Sequence, residues 1–342
     1  MNLPNKETRN WMRQFRVFYR GDSLGRPRFP VPECGLFHSL FFHKDIPHLI
    51  YHSKKRKVFH PAAGCDRIEK RSGVAAIDRL KEDKKMMTNE QIYAVALRQS
   101  AYDLNCEPED FLKGENVVTV SKPHPKARKY LELPLSCDLV SYGANIVAQA
   151  SEEIAPLVRQ YMDRYPVEHC FETPNLHVLD ELLRPYGQKI CFMAEYFLPD
   201  VDAVKARPCD YELRVLHRED FGNLYLPQWS NALCEKRRHL DVLGVGAYDG
   251  GKLIGLAGCS ADCEDMYQIG VDVLPEYRRK GIASAVTGRL ALEILALDKV
   301  PFYCAAWCNL KSVRNAIRCG FRPAWVEITA KDMAFVDRMN GV

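Results

Sequence analysis

Tyr277–Ala285 reads YRRKGIASA, three cations running into a glycine and then small residues. A strand-like run (YQIGVDV) precedes it and a long helical pattern begins at the glycine. Such a junction suits an anion, because a helix N-terminus offers unpaired N–H groups and the positive end of the helix dipole. Arg278, Arg279 and Lys280 can neutralise a diphosphate, Gly281 permits close backbone approach, and Ala283 keeps the first turn uncrowded. Taken alone, the tripeptide also reads as a charged cap on a surface helix. Two other glycine-rich stretches fall away. GAYDGGK (Gly246–Lys252) nearly fits a phosphate loop, but Leu253 replaces the Mg²⁺-binding hydroxyl and DGG is hairpin-turn chemistry. GVGAYD at Gly244 carries Asp249 where a dinucleotide fingerprint needs its third glycine.

The residues downstream decide between the two readings. After the strand-like PFYCAAWC come Asn309, Ser312 and the pair Gly320-Phe321. With Arg278-Arg-Lys-Gly281-Ile-Ala283 matching [QR]xxGx[GA] behind a V-x-P turn at Val273–Pro275, the chain from Tyr211 to Ala330 resembles the GCN5-related N-acetyltransferase (GNAT) family.

That resemblance implies an α/β fold: a GNAT-like mixed central sheet flanked by helices. It also implies acetyl-CoA as the acetyl-donor cosubstrate, lying between two splayed strands, with no metal. Backbone groups of Val271 and Val273 would pair with the pantetheine arm, as an added strand does. Amides of Arg279, Lys280, Gly281, Ile282 and Ala283 would hold the pyrophosphate, with Asn309 and Ser312 on the other wall. The N–H of Val271 would polarise the thioester carbonyl. The acceptor, a small-molecule or peptide amine, would attack directly in a ternary complex.

Two proton-handling roles then need residues. A base must take a proton from the acceptor ammonium, and Asp272 on the splayed strand is the leading candidate, with Glu264, Asp265, Tyr267 and Gln268 nearby. The family's usual proton donor is a tyrosine four residues before Gly-Phe, where this chain has Ala316; Tyr303 is the substitute. The departure opens an alternative, a catalytically silent acyl-CoA-binding or sensing protein. Cys304 and Cys308 have no activating base beside them in the sequence, so an acyl-cysteine route is not expected.

The elements that must position these residues divide into three regions. Residues 1–86 carry 19 Lys+Arg against 9 Asp+Glu, show no sustained period, and read as a poorly structured basic segment or a misassigned start, with the natural chain beginning at Met86 or Met87. Residues 87–342 carry 29 against 35. This acidic body, with no stacking aromatics interleaved in its basic runs, argues against a nucleic-acid partner. Residues 87–205 read as an N-terminal α/β lobe: a helix capped by Thr88, a strand at VVTVS, a helix over SEEIAPLVRQYMDRY capped by Ser151, and a strand at KICFMAEYFL. Residues 206–342 read as the acetyltransferase core, with a helix expected over REDFGNLYLPQWSNALC, Trp229 as core or pocket wall, and a last strand at FRPAWVEITA. Thirteen scattered cysteines without a CxxC pair suit small core fillers in a reducing cytoplasm. No apolar run reaches membrane-spanning length, so no membrane association is expected.

Overall fold

A computed structural model describes residues 87–341, and the basic segment 1–86, with its proposed misassigned start, lies outside the described residues. Thr88 opens the first helix, α1 (Asn89–Leu104), through the capping box its sequence encodes: the Thr88 hydroxyl accepts from Gln91 N–H and the Gln91 side chain accepts from Thr88 N–H. Three short strands follow, β1 (Val117–Val120), β2 (Cys137–Ser141) and β3 (Val147–Ala150), then helices α2 (Ala155–Arg164) and α3 (Thr173–Leu183) and the long strand β4 (Gln188–Pro199). The α2 helix starts three residues later than expected. Ser151 caps nothing with its side chain; its carbonyl closes a turn instead, and Pro156 sits where a helix tolerates a missing N–H.

The C-terminal half runs β5 (Glu212–His217), β6 (Asp241–Asp249), β7 (Lys252–Ser260), β8 (Met266–Val273), α4 (Ile282–Ala296), β9 (Val300–Ala306), α5 (Leu310–Arg318), β10 (Phe321–Asp332) and α6 (Met333–Asn340). Residues 218–240, expected to begin with one helix, form three short 3₁₀ turns instead, at Arg218–Phe221, Pro227–Trp229 and Glu235–Leu240. Pro227 explains part of the break, since it lacks the N–H that a continuing helix needs and restricts the residue before it.

The described strands form one sheet in the order β1-β3-β2-β10-β4-β9-β8-β7-β6-β5. Only β1–β3 and β8–β9 pair in parallel. The sheet is continuous between the two halves, because β4 is bonded to both β9 and β10, and β10 also reaches β2. One core lies under α2 and α3 and includes Leu139, Ile146, Tyr161, Met162, Leu179 and Ile328. Another packs Trp229 with Leu216, Phe221, Ala232, Leu233 and Leu256, so Trp229, 3% exposed, is a core residue.

A buried cation ties the halves together. The Arg128 guanidinium lies 2.6 Å from Asp103 and 3.7 Å from Glu327, between the rings of Tyr196, Phe302 and Trp325. Burial opposes its charge, but Asp103 and Glu327 outweigh burial and hold it firmly protonated. No helix among the described residues is long and apolar enough to cross a membrane.

Candidate active site

The parallel pairing of β8 with β9 stops at Ile269↔Tyr303, whereas β8 stays paired to β7 as far as Val273↔Gly255. From Ala194↔Ala306 to Phe197↔Tyr303, β9 turns its hydrogen bonds to β4 instead. The strands therefore part beyond Ile269. Leu274 N–H donates to Ile254 C=O on the β7 side, so by alternation the backbone groups of Val271 and Val273 face the opening toward β9. Arg278 Nε holds the Val273 carbonyl at 3.1 Å.

Beyond β8 the chain turns into α4 through two left-handed residues, Arg279 (φ 66°) and Gly281 (φ 81°). Gly281 is the N-cap, with no side-chain cap and no acidic residue in the first turn. Among the described residues, no backbone group accepts from the N–H groups of Arg279 through Ala283. A Cβ built on Gly281 meets no protein atom within 4 Å. Successive free amides at an uncapped helix start, beside open space, make an anion-binding concavity.

The three cations around it are not equivalent. Arg278 is spent on Val273, and Lys280 lies 3.1 Å from the Tyr211 hydroxyl and 4.9 Å from the Tyr277 ring centre. Arg279 is exposed and makes no side-chain bond to any described residue.

The other wall is the start of α5. Asn309 is its N-cap, its Oδ1 accepting from Ser312 N–H at 3.3 Å. The Ser312 and Tyr303 hydroxyls are 2.7 Å apart, and Asn315 bridges to Ser284 on α4. Burial pushes the Tyr303 hydroxyl up to about 12, partly offset by the Ser312 bond. Ala316 is fully buried on the same helix.

Residues 159–324 match a family model described as GNAT acetyltransferase. That match, running from α2 to the start of β10, supports a GNAT-family core. Solved structures similar to the chain include a GCN5-related N-acetyltransferase-like protein from Streptococcus suis, 20% identical over 47% of this chain and 69% of its own, TM-score 0.35. A GCN5-related N-acetyltransferase from Kribbella flavida is 15% identical over 45% of this chain, TM-score 0.37, and the match spans 63% of its own length, under two thirds. A Drosophila protein is 13% identical over 76% of this chain and 97% of its own, TM-score 0.38. No curated protein matches the chain.

On the sheet face that carries Gln268, Gly270 and Asp272, the 225–237 segment closes over β6–β8 and leaves a pocket of about 130 Å³. Asp272 fastens that segment: its carboxylate accepts from Asn231 N–H (2.8 Å), Asn231 Nδ2 (2.6 Å) and Ala232 N–H (3.0 Å). Burial raises its pKa, while these bonds pull it back down. Gly270 lets the segment lie flat, since a Cβ there would stand 1.8 Å from Asn231 O. Of the other sequence candidates, Gln268 lines this pocket and the rest lie outside its lining. Asp265 pairs with Arg98 at 3.1 Å and Lys299 at 3.3 Å, and Glu264 is exposed. Gln268 donates to Cys304 Sγ at 3.0 Å, and burial pushes that thiol up to about 12, which makes it a poor nucleophile.

Three pocket residues escaped the sequence reading: Asp241, Ser260 and Asp262. Asp241 and Asp262 are almost fully buried. Carboxylates at the margins of the apolar strands DVLGVGAY and KLIGLAGCS were the available signal. Among the described residues no cluster of three or more His, Cys, Asp or Glu is arranged to hold a metal ion.

Proposed function

We propose that the chain is an N-acetyltransferase that moves an acetyl group from acetyl-CoA to the amine of a small molecule or peptide. The observation that carries this reading is the unpaired edge of β8 beyond Ile269, leading directly to the uncapped start of α4. Bound there, acetyl-CoA supplies an activated thioester. Val271 and Val273 offer it a strand edge, the amides from Arg279 to Ala283 take the pyrophosphate, and Arg279 adds charge. Asn309 and Ser312 face it from α5. Val271 N–H stabilises the negative charge that develops on the carbonyl oxygen. The Tyr303 hydroxyl, held by Ser312, is the proton donor available to the departing thiolate.

The acceptor enters through the pocket under residues 225–237, which reaches Gly270 where β8 leaves β9. Asp272 has its oxygens occupied by Asn231 and Ala232, so we assign it the positioning of that wall. Residues 206–342 serve as the acetyltransferase core, and residues 87–205 as the lobe that contributes β4. Ala316 favours a second reading, an acyl-CoA-binding protein without turnover. Mixing the full chain with acetyl-CoA and a panel of amines, and following free CoA thiol, separates the two. Release that depends on the amine supports transfer; binding without release supports the silent reading; no binding removes both.

A further inference from the structure

A row of polar groups lines the 225–237 pocket. Asp241 pairs with Ser260 across β6–β7, and Ser260 pairs with Gln268 across β7–β8. The row thus runs two strand spacings, about 10 Å, from Asp241 to the residue just before the strands part. Asp241 is 1% exposed and has no ion-pair partner among the described residues; Cys234 N–H donates to it at 2.9 Å and the Tyr225 hydroxyl also donates. Ser260 Oγ and one carboxylate oxygen of Asp262 are buried near each other without a well-formed hydrogen bond, and neither has another partner. Unpaired buried oxygens facing a polar pocket are sites for water or for a ligand's donors.

Resting on the acetyltransferase reading above, we propose that Asp241 is the proton acceptor for the incoming amine, reached through Ser260 and pocket water. The N–H bond of the acceptor ammonium breaks, the proton ends on an Asp241 carboxylate oxygen, and the freed lone pair attacks. Asp262 is less suited, since Arg237 forms an ion pair with it. Asp241 faces Tyr225, Cys234, Arg237, Cys259 and Asp262, with Arg238 stacked on the Tyr225 ring at 4.3 Å. Burial is the largest influence and pushes its carboxyl up to about 7, in the range a base needs at neutral pH.

The test uses two amines of similar size and different basicity, methylamine and hydroxylamine, with the full chain and the variants Asp241→Asn, Asp241→Glu and Ser260→Ala. Acetyl-CoA affinity is measured for each protein, and ¹³C-aspartate NMR follows the carboxyl titrations. Hydroxylamine is already neutral at pH 7 and needs no base. Asp241→Asn should therefore slow transfer to methylamine by about 100-fold or more and transfer to hydroxylamine far less. It should also remove one carboxyl resonance that titrates near neutrality, with acetyl-CoA affinity unchanged and partial rescue in Asp241→Glu. Equal losses for both amines, no loss for either, or no such resonance overturns the assignment. Acetyl-CoA binding without transfer to either amine also overturns it, leaving the cofactor cradle standing. Failure to bind acetyl-CoA takes down the underlying reading instead.

Discussion

The Asp272 carboxylate holds Asn231 by both its backbone N–H (2.8 Å) and its side-chain amide (2.6 Å), so the strand that borders the gap between β8 and β9 also fixes the wall of the 225–237 pocket. One side chain thereby links the two halves of the site. Asp272→Asn turns an acceptor into a donor facing these N–H groups and should cost about 2–4 kcal/mol, read as a drop in melting temperature. Acceptor KM should rise while acetyl-CoA affinity holds. Gly270→Ala should act on the same wall by collision with Asn231. A stable Asp272→Asn protein whose turnover alone is abolished would make Asp272 the base.

Arg279 combines a strained backbone with a free side chain. Arg279→Gly should relieve roughly 1 kcal/mol of left-handed strain and raise the melting temperature. It should also weaken acetyl-CoA binding only a few-fold, since the amides remain. Calorimetry and thermal melts on one sample check both halves.

The raised pKa of Asp241 has a consequence for stability. Its folded value, about 7, exceeds the ordinary 3.8, so the folded state favours the protonated carboxyl. That contribution is complete below about pH 4 and is lost as pH rises through about 7. The stability of Asp241→Asn, which cannot ionise, should therefore rise relative to the parent as pH goes from about 4 to about 7 and level off above that. A stability difference that stays flat with pH would show that Asp241 titrates normally.

Arg128 sits where β10, β4, β9 and α1 meet, 2% exposed at its side chain. Arg128→Met leaves Asp103 and Glu327 buried without their counter-charge and should destabilise by about 3–5 kcal/mol. Chemical denaturation of the two proteins measures it.

Elements with strong local signals were readable from the sequence. Thr88 and Gln91 announced α1, the DGG turn announced β6–β7, and the apolar helix after Gly281 announced α4. The short strands β2 and β3, along with α3 and α6, were missed, because their stability comes from long-range pairing with β10 or packing on β4 rather than from their own pattern. The sheet order was equally hidden: nothing local in KICFMAEYFL says that it lies between β9 and β10. At the site, the Gly281 turn was visible as a motif with fixed spacing. The Asp241–Ser260–Gln268 row was not, since it exists only once three strands are in register.

Titrating acetyl-CoA into the full chain and its Gly281→Glu variant by calorimetry tests the central claim most directly. Glutamate would strain a backbone at φ 81° and place a negative charge among the free amides. The account predicts saturable one-to-one binding to the parent and at least a tenfold loss in the variant, with Arg279→Ala losing less. Equal affinity in the parent and Gly281→Glu, or no binding to the parent, would contradict it.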